Sequence, residues 1–208
     1  SARPLALHVD DDYLAIMLKS NECSSQNLFF TEPQLCISDP DPVYEYLSML
    51  VFTADGSELV AARCIGSYDH HNSGGPKRPL AGIDRTPEGD YVVVASSPDA
   101  NFPSTPGVAQ ENWAGTRDAV LFKISDDLET LHWSTYYGGE NLDFGSSVKV
   151  ADDNSIYICG HTRSHDFIFN GTLFPDDLPG WLSSAAGFLA RFSSEGELLN
   201  ARVFDYPN

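Results

Sequence analysis

The chain has 208 residues, 42% of them hydrophobic, with 16 Gly and 13 Pro, so it can bury a core and must turn often. Twelve Lys and Arg stand against thirty Asp and Glu, a formal net charge of −18; that sign repels phosphate backbones and anionic bilayers and argues against nucleic acid or an acidic membrane as partner. No apolar run approaches the roughly 18 residues that span a bilayer, and Ser1-Ala2-Arg3-Pro4 opens no secretory leader, so such a segment was either removed or never present.

The first element is a hairpin: Leu5 to Val9, an acidic turn Asp10-Asp11-Asp12, then Tyr13 to Leu18. A long polar link, Lys19 to Pro42, leads to a second hairpin around Phe52-Thr53-Ala54-Asp55-Gly56-Ser57-Glu58-Leu59. Asp-Gly between alternating runs is a strong hairpin signal, because Gly tolerates the positive φ of such turns. The first hairpin recurs as Leu80 to Asp84, Thr86-Pro87-Glu88-Gly89 and Tyr91 to Ala95, and again as Ser147 to Ala151, Asp152-Asp153-Asn154 and Ile156 to Gly160. Tyr13, Tyr91 and Ile156 align as equivalents. The second hairpin recurs without gaps at Ile124 to Leu131 and Phe192 to Leu199. The intervening links, Ser97 to Thr116 and His161 to Ala185, are rich in Pro, Gly, Ser and Asp.

Two hairpins per unit, repeated three times, predict an all-β chain of three four-stranded antiparallel blades, the unit of a β-propeller. The blades run over about 4–68, 79–139 and 143–206. Runs such as Tyr91-Val92-Val93-Val94-Ala95 fit strands covered on both faces. Trp133 is expected to wedge between blades, and Gly138-Gly139 to give the chain a sharp exit to the next one. Three blades do not close a ring and would leave the outer faces of the first and third bare. A six- or seven-bladed ring then needs a second copy joined head to tail, a different protein, or a longer chain of which this is a piece.

Asp118-Ala119-Val120-Leu121-Phe122-Lys123-Ile124, Trp133-Ser134-Thr135-Tyr136-Tyr137-Gly138-Gly139, Asp143-Phe144-Gly145 and Ser164-His165-Asp166-Phe167 resemble the bacterial seven-bladed β-propeller repeat family, as does Asn101-Phe102-Pro103-Ser104-Thr105-Pro106-Gly107. The resemblance covers about Tyr91 to Phe167 and weakens toward both ends, where Cys64-Ile65-Gly66-Ser67 replaces the Tyr-Tyr-Gly-Gly turn. It implies a secreted, cell-surface or periplasmic propeller with no catalytic residues of its own.

Cys64 and Cys159 lie in apolar strand runs and read as small buried hydrophobes. Cys23 and Cys36 share a polar link, where a disulfide and two free thiols are equal alternatives. The hairpin turns gather Asp10, Asp11, Asp12, Asp55, Glu88, Asp126, Asp127, Asp152, Asp153 and Glu195 on one end of the blades. Solvated turn residues account for them; calcium is the alternative, without an Asp-x-Asp-x-Asp-Gly loop to favour it. The links at the other end carry Tyr68, His70, His71, Trp113, His161, His165 and Trp181, the candidate ligand-binding residues. His161 and His165 are four apart in a link and not on a helix, so zinc is disfavoured. No hydrolase, zinc-protease or phosphate-loop motif occurs. The expectation is a non-catalytic recognition or scaffold module completed by a protein partner or second copy, without cofactor. A lectin-like propeller is the alternative, and a glycoside-processing enzyme using two of the many carboxylates is the third reading.

Overall fold

The structure is a computed structural model and describes residues 2–20, 44–70, 81–167 and 186–204. These residues form twelve strands and no helix. The strands are β1 (Ala2–Val9), β2 (Tyr13–Ser20), β3 (Tyr44–Thr53), β4 (Leu59–His70), β5 (Gly82–Arg85), β6 (Tyr91–Ser97), β7 (Asp118–Ile124), β8 (Leu131–Tyr137), β9 (Asp143–Val150), β10 (Ile156–Thr162), β11 (Ala186–Phe192) and β12 (Leu198–Phe204). They make three antiparallel sheets of four, each in simple meander order: β1 to β4, β5 to β8 and β9 to β12. The four-strand units expected from the two repeating hairpins are therefore present.

Turn chemistry closes the hairpins. Gly56, Gly89 and Gly196 take positive φ in three of them, and Asn154 does so in a fourth. Leu128 occupies the same left-handed region, with a side chain only 1% exposed. Burying a leucine stabilises by ~1.5–3 kcal/mol, enough to offset the ~1–2 kcal/mol that the conformation costs an L-residue.

The sheets stack face to face, and the middle one is apolar on both sides. Every residue of β6 is buried, as are six of the seven in β7. Tyr91, Val93, Ala95, Phe122 and Tyr136 join Ala15, Met17, Leu47, Met49 and Val51 of the first sheet in one core. Val92, Val94, Leu121, Trp133 and Tyr137 join Ile156, Ile158, Phe188, Ala190 and Phe192 of the third sheet in the other. Trp133 is a wedge as expected: 4% exposed, its indole Nε1–H donates to Ser194 O across the seam at 2.8 Å.

Contacts between sheets concentrate on the first strand of each, with β5 touching both β1 and β9. Close approach there depends on small residues. A Cβ on Gly82 would lie 2.7 Å from Val148 N, and one on Gly145 2.3 Å from Val94 Cγ2.

Three expectations need correction. The ladder ends are Val9–Leu14, Arg85–Tyr91 and Val150–Ile156, so Leu14 and not Tyr13 is the counterpart of Tyr91 and Ile156. The first turn is one residue shorter, and a one-residue slip exchanges the faces of a strand. Cys159 is an exposed free thiol, because β10 turns Ile156 and Ile158 inward and Cys159 outward. Cys64 is buried but disulfide-bonded, not a free apolar filler. Cys23 and Cys36, for which a disulfide and two free thiols stood as alternatives, lie outside the described residues.

A Cβ on Gly160 would meet Phe144 O at 1.9 Å and the Phe188 ring at 2.6 Å. Gly160→Ala should therefore destabilise by ~1–3 kcal/mol through overpacking, seen as a lower urea midpoint with an unchanged slope.

Candidate binding surface

The hairpin turns of neighbouring sheets come together at one end. Asn154 Nδ2 donates to Glu88 Oε1 at 2.9 Å, and Arg85 Nη1 donates to Asp10 Oδ2 at 2.7 Å. Several acids there are occupied with their own turns. Asp10 Oδ1 accepts from the amides of Asp12 and Tyr13, Asp55 Oδ1 from the Thr53 and Ser57 hydroxyls and Ser57 N, and Asp127 Oδ1 from the Ser125 hydroxyl and Glu129 N. These hydrogen bonds favour the ionised forms and hold Asp55 down at about 2. For Asp10, burial opposes the shift, but the bond from Arg85 and the turn amides carry it to about 2. No group of three or more His, Cys, Asp or Glu is arranged to hold a metal among the described residues.

The converging first strands carry a charged row that the sequence alone did not single out. His8 on β1, Asp84 on β5 and Lys149 on β9 occupy equivalent ladder positions, each next to last before the turn. Asp84 is buried and accepts from Lys149 Nζ at 2.8 Å and from Val150 N at 2.7 Å, with His8 Nδ1 3.5 Å away. One carboxylate thus ties three sheets. A comparison of ladder positions, had the strand register been known, would have placed these residues together.

Among the candidate ligand residues, Tyr68 and His70 lie on β4 with their side chains outside the described residues, and His71 and Trp181 fall outside altogether. Trp113 packs against the core between the first two sheets, its indole N–H buried without a partner. His161 stacks on Phe144 at 4.6 Å, and burial pushes its pKa down, aided by Arg163. His165 is exposed. Trp113 and His161 are thus packing residues in part, and the link from β6 to β7, residues 98–117, which carries Trp113, serves the fold. It runs along the outer edge of β8, where Thr105 N donates to Ser134 O at 2.9 Å and Gln110 O accepts from Tyr136 N at 3.0 Å. Phe102 from the same link packs against Phe122 and Tyr136. A loop that covers a sheet edge satisfies polar groups that would otherwise pair with another chain.

The open surfaces are the outer faces of the two terminal sheets. On the first sheet Leu7 and Val9 are 59% and 56% exposed, beside half-buried Leu14, Ile16 and Leu18 on the same face. On the third, Tyr157, Leu189, Arg191, Asn200 and Arg202 line a shallow depression of about 220 Å³. Arg191 lies over the Tyr157 ring at 5.6 Å and donates to Ser155 Oγ and Asp153 Oδ2. No family model and no curated protein matches the chain, so the resemblance of its middle repeat rests on the residues quoted for it.

Asp84→Ala would leave the Val150 amide and the Lys149 ammonium without their shared acceptor. The loss should be ~1–3 kcal/mol, checked by thermal melting beside a Lys149→Met variant, which should cost less because Asp84 keeps the amide.

Proposed function

We propose that this chain is a non-catalytic recognition or scaffold module, three blades of a propeller whose ring is completed by further four-stranded sheets. The observation that carries the reading is the outer face of the first sheet. By ladder position Leu14, Ile16 and Leu18 correspond to Tyr91, Val93 and Ala95 and to Ile156, Ile158 and Gly160. Tyr91, Val93 and Ala95, and likewise Ile156 and Ile158, face the sheet before their own, in the two cores. Continuity of the repeat supplies the first set with the same neighbour: an antiparallel sheet with an aliphatic face.

The third sheet is built differently on its free side. Where the middle sheet presents Trp133 and Thr135 to its neighbour, the third presents Asn200 and Arg202. A head-to-tail second copy would press those polar groups onto Leu7, Ile16 and their neighbours, and burying an unpaired guanidinium against leucine is costly. The reading therefore favours blades from a longer chain or a different protein over a six-bladed homodimer. The disulfide at Cys64 fits an oxidising, extracellular or periplasmic location. The turn carboxylates, engaged in capping, are not poised as an acid and base pair.

A second reading draws on the depression of the third sheet. An aromatic ring beside two guanidiniums and an amide suits an acidic sugar, and saturable binding on a glycan array, abolished by Arg202→Ala, would favour a lectin-like role.

The primary test is native mass with an apolar dye. The 22.8 kDa chain should associate or bind dye through the first sheet, and Ile16→Lys should suppress both while Arg202→Glu does not. A dye-silent wild-type monomer would end this reading.

A further inference from the structure

We propose that the junction between the second and third sheets is a proton-dependent latch, in which buried Asp118 and Asp143 hold one proton between them while the junction is closed and loosen it when both ionise. The crossover from β8 to β9, residues 138–142, is pinned by side chains at four successive amides. Gly138 N donates to Gln110 Oε1 at 3.0 Å, Gly139 N to Asp143 Oδ2 at 2.7 Å, Glu140 N to Asp166 Oδ1 at 2.8 Å, and Asn141 N to Ser164 Oγ at 2.9 Å. Asp118 supports the first of these, since its Oδ2 accepts from Gln110 Nε2 at 3.1 Å and from Ala114 N at 2.9 Å. Asp143 Oδ2 also accepts from Ser164 Oγ at 2.7 Å.

The other oxygen of each carboxylate is orphaned. Both aspartates are 0% exposed, and Oδ1 of each is buried without a hydrogen-bond partner among the described residues. They come from different sheets to one place: a Cβ on Gly138 would lie 2.6 Å from Asp118 Oδ1 and 2.9 Å from Asp143 Oδ2. No ion pair reaches either group among the described residues. The titratable neighbours are the carboxylate of Asp166 and the phenols of Tyr136 and Tyr137, which stay neutral because burial and these same carboxylates push them up. On the far side Arg117 lies over the Phe144 ring at 5.5 Å, and His161 stacks on that ring next to Arg163. Two like charges against one glycine, out of water, cannot both be carried cheaply. Burial, with Asp143 and Asp166 adding, pushes Asp118 up to about 7, and burial likewise raises Asp143.

The folded pKa lies above the unfolded one, so the closed junction is unpenalised below the ordinary aspartate range. It loses stability as pH rises from there through about 7, and the proton passes to solvent. The seam that opens is the one Trp133 spans through Ser194.

The test is carboxyl carbon NMR of the wild-type chain from about pH 5 to about pH 9, with thermal melts of wild type and Asp118→Asn. One buried aspartate should titrate near neutrality. The melting temperature should fall by several degrees over that range, with Trp133 fluorescence moving to the red. Asp118→Asn, which keeps an acceptor for Ala114 N, should flatten the slope and melt higher at the alkaline end. The proposal is overturned if no aspartate titrates above about pH 5.5, or if Asp118→Asn keeps the wild-type slope. It is equally overturned if calcium raises the wild-type melting temperature and Asp118→Asn abolishes that rise, since a cation and not a proton would then fill the pair. Should Asp118→Asn fail to fold, the wild-type NMR titration decides.

Discussion

A sheet that is apolar on both faces cannot face water on either, and the middle sheet of this chain is such a sheet. Every side chain of β6 is buried, with odd positions against the first sheet and even positions against the third. That one demand for two apolar neighbours organises the rest. It places the seams, requires glycine where Gly82 and Gly145 let first strands close up, and makes Trp133 a wedge instead of a surface aromatic.

The acidity of the chain divides into two populations with different physics. Acids in the hairpin turns accept amide and hydroxyl bonds from residues two or three positions away and are stabilised as anions at a wet surface. Acids on the first strands are buried: Asp84 reaches across to Lys149 and Val150 of the third sheet, and Asp143 holds Gly139 of the crossover and Ser164. Composition counts both alike, yet they differ in burial, and contacts between sheets come from both, as Asp10 with Arg85 and Glu88 with Asn154 show at the turns.

The two ends of the stack differ, and the functional reading depends on that difference. The first sheet ends in an aliphatic face equivalent to faces that are covered elsewhere in the chain, while the third ends in a face with Tyr157, Asn200, Arg191 and Arg202. The first is an aliphatic surface and the second a polar one. Long links, which usually bear function on rigid scaffolds, here include one that serves mainly to cover β8 and to supply Phe102 to the core.

The sequence by itself determined the strands, their grouping into three fours, the turn sites and the wedge role of Trp133, because alternation, Asp-Gly turns and repeat spacing are local signals. It also marked Gly138 and Gly139 as the exit to the next unit, to which the structure adds a steric reason. Neither takes a positive φ; each lacks a Cβ because a carboxylate, of Asp118 and Asp143 or of Asp166, occupies the space. Tertiary structure alone decided the face of each cysteine, the offset of Leu14 from Tyr13, the row of His8, Asp84 and Lys149, and the meeting of Asp118 with Asp143. These features depend on strand register and on which sheet covers which face, and a one-residue shift in a turn reverses them without altering the pattern from which the strands are read.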